Sequence, residues 1–280
     1  MGGPALLFEN VKDSSMPVAV NLLGTMERVV WSMGLEKQEE LEDLGRKLAL
    51  LQQPRPPKGF KETKAFASVA WDLLKARPDI DLLPPCHQKV IGEKLALLQQ
   101  PRPPKGFKET KAFASVAWDL LKARPDIDLL PPCHQKVIVE KDLDLNHLPL
   151  LRPWPEDAGG AITLGLVITK DPETGVPNVG VYRLQRQSAK SMTVHWLSVR
   201  GGARHLRKAA AMNKKLEVAV AIGVHPLLVM AAATPIPVHL SEWLFAGLYA
   251  GEGVRLTKCK TIDLQVPSHS EIVLEGSISP

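Results

Sequence analysis

The stretch AITLGLVITKDPETGVPNVGVYRLQRQSAKSMTVHWLSVRGGA, from Ala161 to Ala203, decides how this chain is read. Its apolar runs have strand length and are parted by polar turns. Asp171, Pro172, Gly175 and Pro177 punctuate the first turn, and Ser188, Ala189 and Lys190 make the second. Turn residues between β-type runs predict an antiparallel meander. The pair Gly201-Gly202 opens a predicted helix. Arg183 interrupts the apolar alternation of one strand, and on the next His195 and Arg200 flank Trp196 and Leu197. A guanidinium fork matches carboxylate or phosphate geometry. Arg183 is therefore either an anion-binding residue or a solvated arginine on an exposed barrel rim.

The bounds outside this stretch are ordinary. A chain of 280 residues with 45% hydrophobic content can bury a substantial core in one or two domains. The formal net charge of +5 comes from basic residues dispersed among acidic ones, with few aromatics for base stacking, so no nucleic-acid partner is expected. A phosphate-bearing ligand or a carboxylate substrate would use the same positive balance. Cys86, Cys133 and Cys259 form neither a disulfide framework nor a metal-ligand pattern, so a reducing cytoplasm is expected, with membrane-peripheral attachment as the alternative. No segment reaches the roughly 18 to 20 apolar residues of a membrane span. The N-terminus lacks the basic and apolar regions of an export signal.

Downstream of the meander, Arg204 to Lys215 reads as an exposed basic helix, Leu216 to Val224 as a strand, and His225 to Ala233 as a helix closed by Pro235 and Pro237. Ser241 is a predicted N-cap, which puts Glu242 at the first helical position, where the helix dipole favours a carboxylate. Val254 to Val266 and Ser270 to Ser279 read as two further strands, with Glu271 and Glu275 on the exposed face of an edge. Upstream, Gly2 to Asn10 reads as a buried-type strand and Pro17 to Leu23 as a second one. Thr25 caps a helix with Val29, Val30 and Met33 at helical spacing.

Lys47 to Ile91 repeats without change as Lys94 to Ile138, with only Gly92 and Glu93 between the copies. A solenoid keeps its stacking positions and drifts elsewhere. Identity over all 45 positions therefore points to a recent duplication or an assembly error. Each copy holds an amphipathic helix (Ala65 to Ala76, Ala112 to Ala123), a Pro-rich connector and a Cys-His-Gln run. One copy is expected to pack and the other to loop out. His87 and His134, each beside a single cysteine, are better read as packed or solvent-facing residues than as ligands.

The runs Asn178-Val179-Gly180-Val181-Tyr182-Arg183, Trp196-Leu197-Ser198-Val199-Arg200-Gly201-Gly202-Ala203, Leu240-Ser241-Glu242 and Phe245-Ala246-Gly247 together resemble the UbiD family of decarboxylases. The resemblance runs from Gly2 to Pro280 apart from the duplicated block. It implies an α+β fold: an N-terminal α/β region over residues 1–140, then an incomplete FMN-binding split β-barrel over 141–280, entered through Trp154 to Gly160. It implies a carboxy-lyase acting on an aromatic or α,β-unsaturated acid with prenylated FMN, for example 3-polyprenyl-4-hydroxybenzoate in quinone biosynthesis. A flavin prenyltransferase would supply the cofactor, and the family homo-oligomerises. A non-catalytic flavin-binding or scaffold module is the alternative.

The resemblance also assigns residues. Arg183 would engage the substrate carboxylate. Val181, Tyr182, Arg183, His195, Trp196, Leu197, Arg200 and Gly201 would cradle the flavin. Asn178 and Glu242 would hold a manganese ion against the flavin phosphate, with potassium nearby. The family's third metal ligand, a histidine, falls at Val199, which cannot coordinate. His195, on the same face of an assumed strand, would be about 13 Å away and is not put in its place. The family's catalytic acid lies in a Glu-Gly-Pro motif beyond Pro280, so the chain by itself is expected to be inactive, truncated at both ends relative to the family pattern.

Overall fold

A computed structural model describes residues 2–12, 14–42, 122–152, 154–234, 236 and 241–280. The first copy of the repeat, and the second as far as residue 121, lie outside the described residues, as does the question of which copy packs. Cys86 and His87 lie there too.

The described residues form a mixed α/β structure with several sheets. The central one is four-stranded and antiparallel, in the order β12 (Ile272–Ile278), β9 (Leu216–Ile222), β5 (Leu166–Lys170), β6 (Pro177–Val181). Alternation along its strands feeds a core on each face. Leu166, Ile168, Val179, Ala219 and Ala221 face helices α3 (Pro226–Ala233) and α4 (Glu242–Ala250). Val167, Val218 and Val220 face the opposite cluster with Ile162, Leu184 and Ala209, the last from α2 (Gly201–Ala211). Both faces being covered explains why β5 reads as a continuous apolar run.

The Ala161 stretch is more bent than a simple meander. Its first run divides into β4 (Ala161–Ile162) and β5, and its second into β6 and β7 (Leu184–Arg186). β4, β7 and β8 (Met192–Val194) make a separate antiparallel sheet. Both arms of one hairpin thus pass from the central sheet into a second one. The register slips at the bend: Ile162 pairs with Leu184, but Leu166 pairs with Val181. Thr163, Leu164 and Gly165 therefore oppose Tyr182 and Arg183, the extra-residue arrangement of a bulge, which bends a strand and re-aims its side chains. Gly165 is required there, since a Cβ would lie 2.9 Å from Ile162 Cγ2 and 3.0 Å from Val220 Cγ1.

Other readings are corrected in detail. The strand at the N-terminus, β1 (Leu6–Phe8), is exposed rather than buried, Leu7 by 62%, and pairs only with β2 (Val18–Val20) among the described strands. Val254 to Val266 divides into the antiparallel pair β10 (Arg255–Lys258) and β11 (Gln265–Pro267). α2 begins earlier than the basic run and buries Gly202, Ala203, His205 and Ala209. Glu275 is not a bare surface carboxylate, because it accepts hydrogen bonds from the backbone N–H groups of Lys260 (2.7 Å) and Thr261 (2.6 Å). The Thr25 cap is as expected, accepting from Arg28 N–H at 3.2 Å at the start of α1 (Met26–Ser32).

The end of the second repeat copy packs against the downstream half. β3 (Asp126–Ile127) runs parallel to β10. Ala123 is fully buried, and α4 approaches it so closely that a Cβ on Gly247 would fall 2.1 Å from its carbonyl oxygen. Trp243, Leu244, Phe245 and Ala246 are buried around that contact. They fix α4, and with it the position of Glu242.

Candidate flavin and metal site

The site is assembled where β6, the bend after it, the loop 195–200 and the starts of α2 and α4 come together. Asn178 lies on β6 and its amide packs against the first residue of α2. A Cβ on Gly201 would sit 1.7 Å from Asn178 Oδ1, so only glycine permits the approach. Gly202 serves the Trp196 indole in the same way, at 2.6 Å. Trp196 meets Tyr182 edge to face at 6.0 Å, an arrangement that aromatic quadrupoles favour.

Glu242 begins α4, with Ser241 as N-cap accepting from Trp243 N–H at 3.2 Å. Burial pushes its carboxyl up to about 7, against the opposing pull of its own amide, the Val179 amide and the Arg204 guanidinium. The Val179 amide places this carboxylate beside Asn178. Glu242 Oε2, Asn178 Nδ2 and Trp196 Nε1 are buried and have no hydrogen-bond partner. A native fold rarely leaves such groups unpaired unless a ligand, ion or water completes them.

Arg183 lies in the bend, not within a strand. Its backbone oxygen accepts from His195 N–H at 3.2 Å, which brings these two predicted residues together by continuing the β7–β8 pairing. Its guanidinium is half exposed and stands 3.8 Å from Asp157 Oδ2, a loose ion pair. His195, Leu197 and Arg200 are exposed. Residues 195–200 form a turn rather than a strand, so the strand spacing assumed between His195 and Val199 does not apply. The turn is tied down by Arg207 Nη1 donating to the Ser198 carbonyl at 2.8 Å. Val199 is 83% exposed. Among the described residues no group of three or more His, Cys, Asp or Glu side chains could hold a metal ion.

The structure therefore brings Asn178, Gly201, Tyr182 and Trp196 together in a packed part, and Arg183 with His195 at its edge. Asp157 is a residue that sequence reasoning missed, as is a buried group behind α2, in which His205 Nδ1 lies 2.9 Å from Thr169 Oγ1. A signal for the second was present: Gly202, His205 and Ala209 recur on one face of a helix, and Thr169 interrupts an apolar strand.

A fold of this kind has relatives. The model of the 3-octaprenyl-4-hydroxybenzoate carboxy-lyase Rift-related domain matches residues 127–280, and that of the carboxy-lyase N-terminal domain matches residues 1–48. The chain belongs to the UbiD family. It is 57% identical over 279 residues to protein sll0936 of Synechocystis sp., covering 100% of this chain and 46% of that protein. The UbiD-class enzyme HmfF from Pelotomaculum thermopropionicum, solved in complex with FMN, superposes with a TM-score of 0.66 at 25% identity over 99% of this chain and 46% of its own. The vanillic acid decarboxylase of Sedimentibacter hydroxybenzoicus in its closed form gives 0.66 at 26%, covering 99% and 46%. The chain thus spans about half the length of the relatives it matches. No helix among the described residues is long and apolar enough to cross a membrane.

Proposed function

We propose that this chain forms the flavin and metal half of a prenylated-FMN-dependent carboxy-lyase, which removes carbon dioxide from an aromatic or α,β-unsaturated carboxylic acid without net oxidation. The observation that carries this reading is the pair of buried, unpartnered atoms Asn178 Nδ2, beside Gly201, and Glu242 Oε2, in a chain of the UbiD family. A buried carboxylate with a free oxygen is costly unless a cation meets it. Exchanging the nitrogen and oxygen of the Asn178 amide, which hydrogen-bonding context assigns, would offer that cation a second hard donor.

Asn178 and Glu242 would hold Mn2+ against the flavin phosphate, with K+ nearby. Val181, Tyr182, Arg183, His195, Trp196, Leu197, Arg200 and Gly201 would line the flavin, within what we read as part of a split β-barrel beginning near residue 140. When bound, prenylated FMN supplies an electron sink for the pair released as the carboxylate leaves. Arg183 would hold the substrate carboxylate in one orientation. A proton must then reach the carbon left behind. Glu242 is committed to the cation and Asp157 to Arg183, so the proton would come from an acid outside these residues. The 280-residue chain alone would bind flavin without turnover. The whole protein would homo-oligomerise in the cytoplasm and take its cofactor from a flavin prenyltransferase, with 3-polyprenyl-4-hydroxybenzoate a first substrate to try.

One observation favours the second reading, a non-catalytic flavin-binding module. Val199 stands where an imidazole ligand is expected, and it faces solvent. The two readings separate in one experiment. The chain is titrated with FMN and Mn2+ while flavin fluorescence and melting temperature are followed, and the whole protein, loaded with prenylated FMN, is assayed for carbon dioxide release. The enzyme reading expects FMN binding that Mn2+ strengthens, loss of the Mn2+ effect in Glu242→Gln, and carbon dioxide release by the whole protein. Binding without release supports the module, and no binding at all overturns both.

A further inference from the structure

Between α2 and the β5–β6 hairpin lies a polar cluster that no step of the proposed chemistry uses. His205 is 2% exposed, and its Nδ1 is 2.9 Å from Oγ1 of the fully buried Thr169. Its Nε2 stands 3.9 Å from Asp171 Oδ2. Lys208, one turn further along α2, donates to that same Oδ2 at 2.7 Å and pairs with Glu173 Oε2 at 2.7 Å. Asp171 Oδ1 accepts from the backbone N–H groups of Glu173 (2.9 Å) and Thr174 (3.3 Å), shaping the turn between β5 and β6. Two successive turns of α2 are thereby fastened to one β-hairpin.

Thr169 is the cross-strand partner of Asn178. Directly opposed residues in an antiparallel pair point to the same face, about 5 Å apart. On the helix, Gly201 and His205 are four residues apart and so share a face, with about 6 Å of rise between them. The two spacings match. With His205 over Thr169, Gly201 comes over Asn178, which is the contact found there.

We propose that His205 is a positioning residue for the Asn178 half of the cation and flavin-phosphate site, acting through its hydrogen bond to Thr169. A slip of α2 by one residue would break that bond, and in the direction that puts Arg200 in the place of Gly201 it would drive a long side chain onto the Asn178 amide. Arg204 and Lys208 flank His205 on the helix and Asp171 faces it from the hairpin. The pairs of Lys208 with Asp171 and Glu173 hold the helix to the hairpin, while the bond to Thr169 sets its register.

This inference rests on the flavin and metal reading for its consequence, and on the packing alone for its geometry. Its test has a matching pair of arms. Mn2+ affinity in the presence of FMN is measured by electron paramagnetic resonance for the wild-type chain, His205→Leu and His205→Asn. The leucine variant, which fills the space without a polar atom, is expected to bind about tenfold more weakly, the usual scale for groups supporting a metal ligand. The asparagine variant places an amide where Nδ1 stood and is expected to stay within about threefold of wild type. In parallel, the side-chain amide resonances of Asn178 are followed by nuclear magnetic resonance without ligand, and should move in His205→Leu but not in His205→Asn. Should the wild-type chain bind neither FMN nor Mn2+, the flavin reading fails while the resonance arm still decides the positioning role. Unmoved Asn178 signals in His205→Leu, or equal effects of both variants, would overturn the inference.

Discussion

The candidate site has a packed pole and an open rim, and they differ in what secures them. At the pole, Asn178 on β6, Trp196 before α2 and Glu242 at the start of α4 each carry a buried polar atom, the first two packed on Gly201 and Gly202 and the third followed by the buried run Trp243 to Ala246. At the rim, Arg183, His195, Leu197, Val199 and Arg200 are exposed and are held by backbone hydrogen bonds or a loose ion pair. Buried side chains lose their freedom in folding, before any ligand arrives, whereas exposed ones lose it only on binding. The pole is thus ordered by folding itself, and under the proposed function the rim would gain its order only from a ligand.

The sharpest way to break this contrast is to unseat α4. Phe245 is 1% exposed and stacks edge to face with Tyr249 at 4.6 Å. Phe245→Ala is expected to cost about 3–5 kcal/mol in chemical denaturation, the range for deleting a buried aromatic ring. Next comes Gly201→Ala. Alanine favours a helix, so melting temperature should hold. The new methyl would displace the Asn178 amide, and Mn2+-dependent FMN binding should fall about tenfold or more, read by flavin fluorescence. Retained binding would mean that the amide does not need its present place.

A smaller effect is expected from pH. Burial holds the His205 imidazole down to about 4 from an ordinary value of 6.5, although Asp171 pulls it upward. The unfolded chain therefore binds this proton more readily than the folded one. The stability due to neutral His205 is fully present above about 6.5 and is lost progressively as pH falls from there through about 4. Asp171 contributes in the same direction at the acid end. Burial works to raise its carboxyl, but Lys208 and the amides of Glu173 and Thr174 outweigh it and leave it below the usual range. Urea midpoints between pH 7 and pH 4 should decline in the wild-type chain and less steeply in His205→Asn.

Much of the pole was legible in the sequence and little of the rim's shape was. Caps are local: Thr25 and Ser241 announce their helices because the accepting oxygen and donating amide lie within three residues. The glycines at 201 and 202 announced the start of a helix, but not that they admit the Asn178 amide and the Trp196 indole, which are brought to them by other segments. The bend at Gly165 and Arg183 escaped because periodicity cannot distinguish one long strand from two that change sheets. That choice is made by contacts with Ile162 and Val220, the second of them far away in sequence. The exposed β1 was misread for the same reason, since an apolar run shows what a strand could bury and not whether a partner is there.

The weakest expected effect falls on Arg183, the residue given the most chemical responsibility. Its guanidinium is 50% exposed and lies 3.8 Å from an Asp157 carboxylate that is itself partly exposed. Solvent-exposed ion pairs contribute about 0–1 kcal/mol, because screening and lost side-chain freedom offset the attraction. Arg183→Gln should therefore change the denaturation midpoint by an amount corresponding to less than about 0.5 kcal/mol. It should also leave FMN and Mn2+ binding close to wild type, since the proposed ligands Asn178 and Glu242 lie at the pole. In the whole protein the same change should abolish binding of the acid substrate, because glutamine cannot pair in bidentate fashion with a carboxylate. A large loss of stability in Arg183→Gln would show that the rim, too, is fixed by folding.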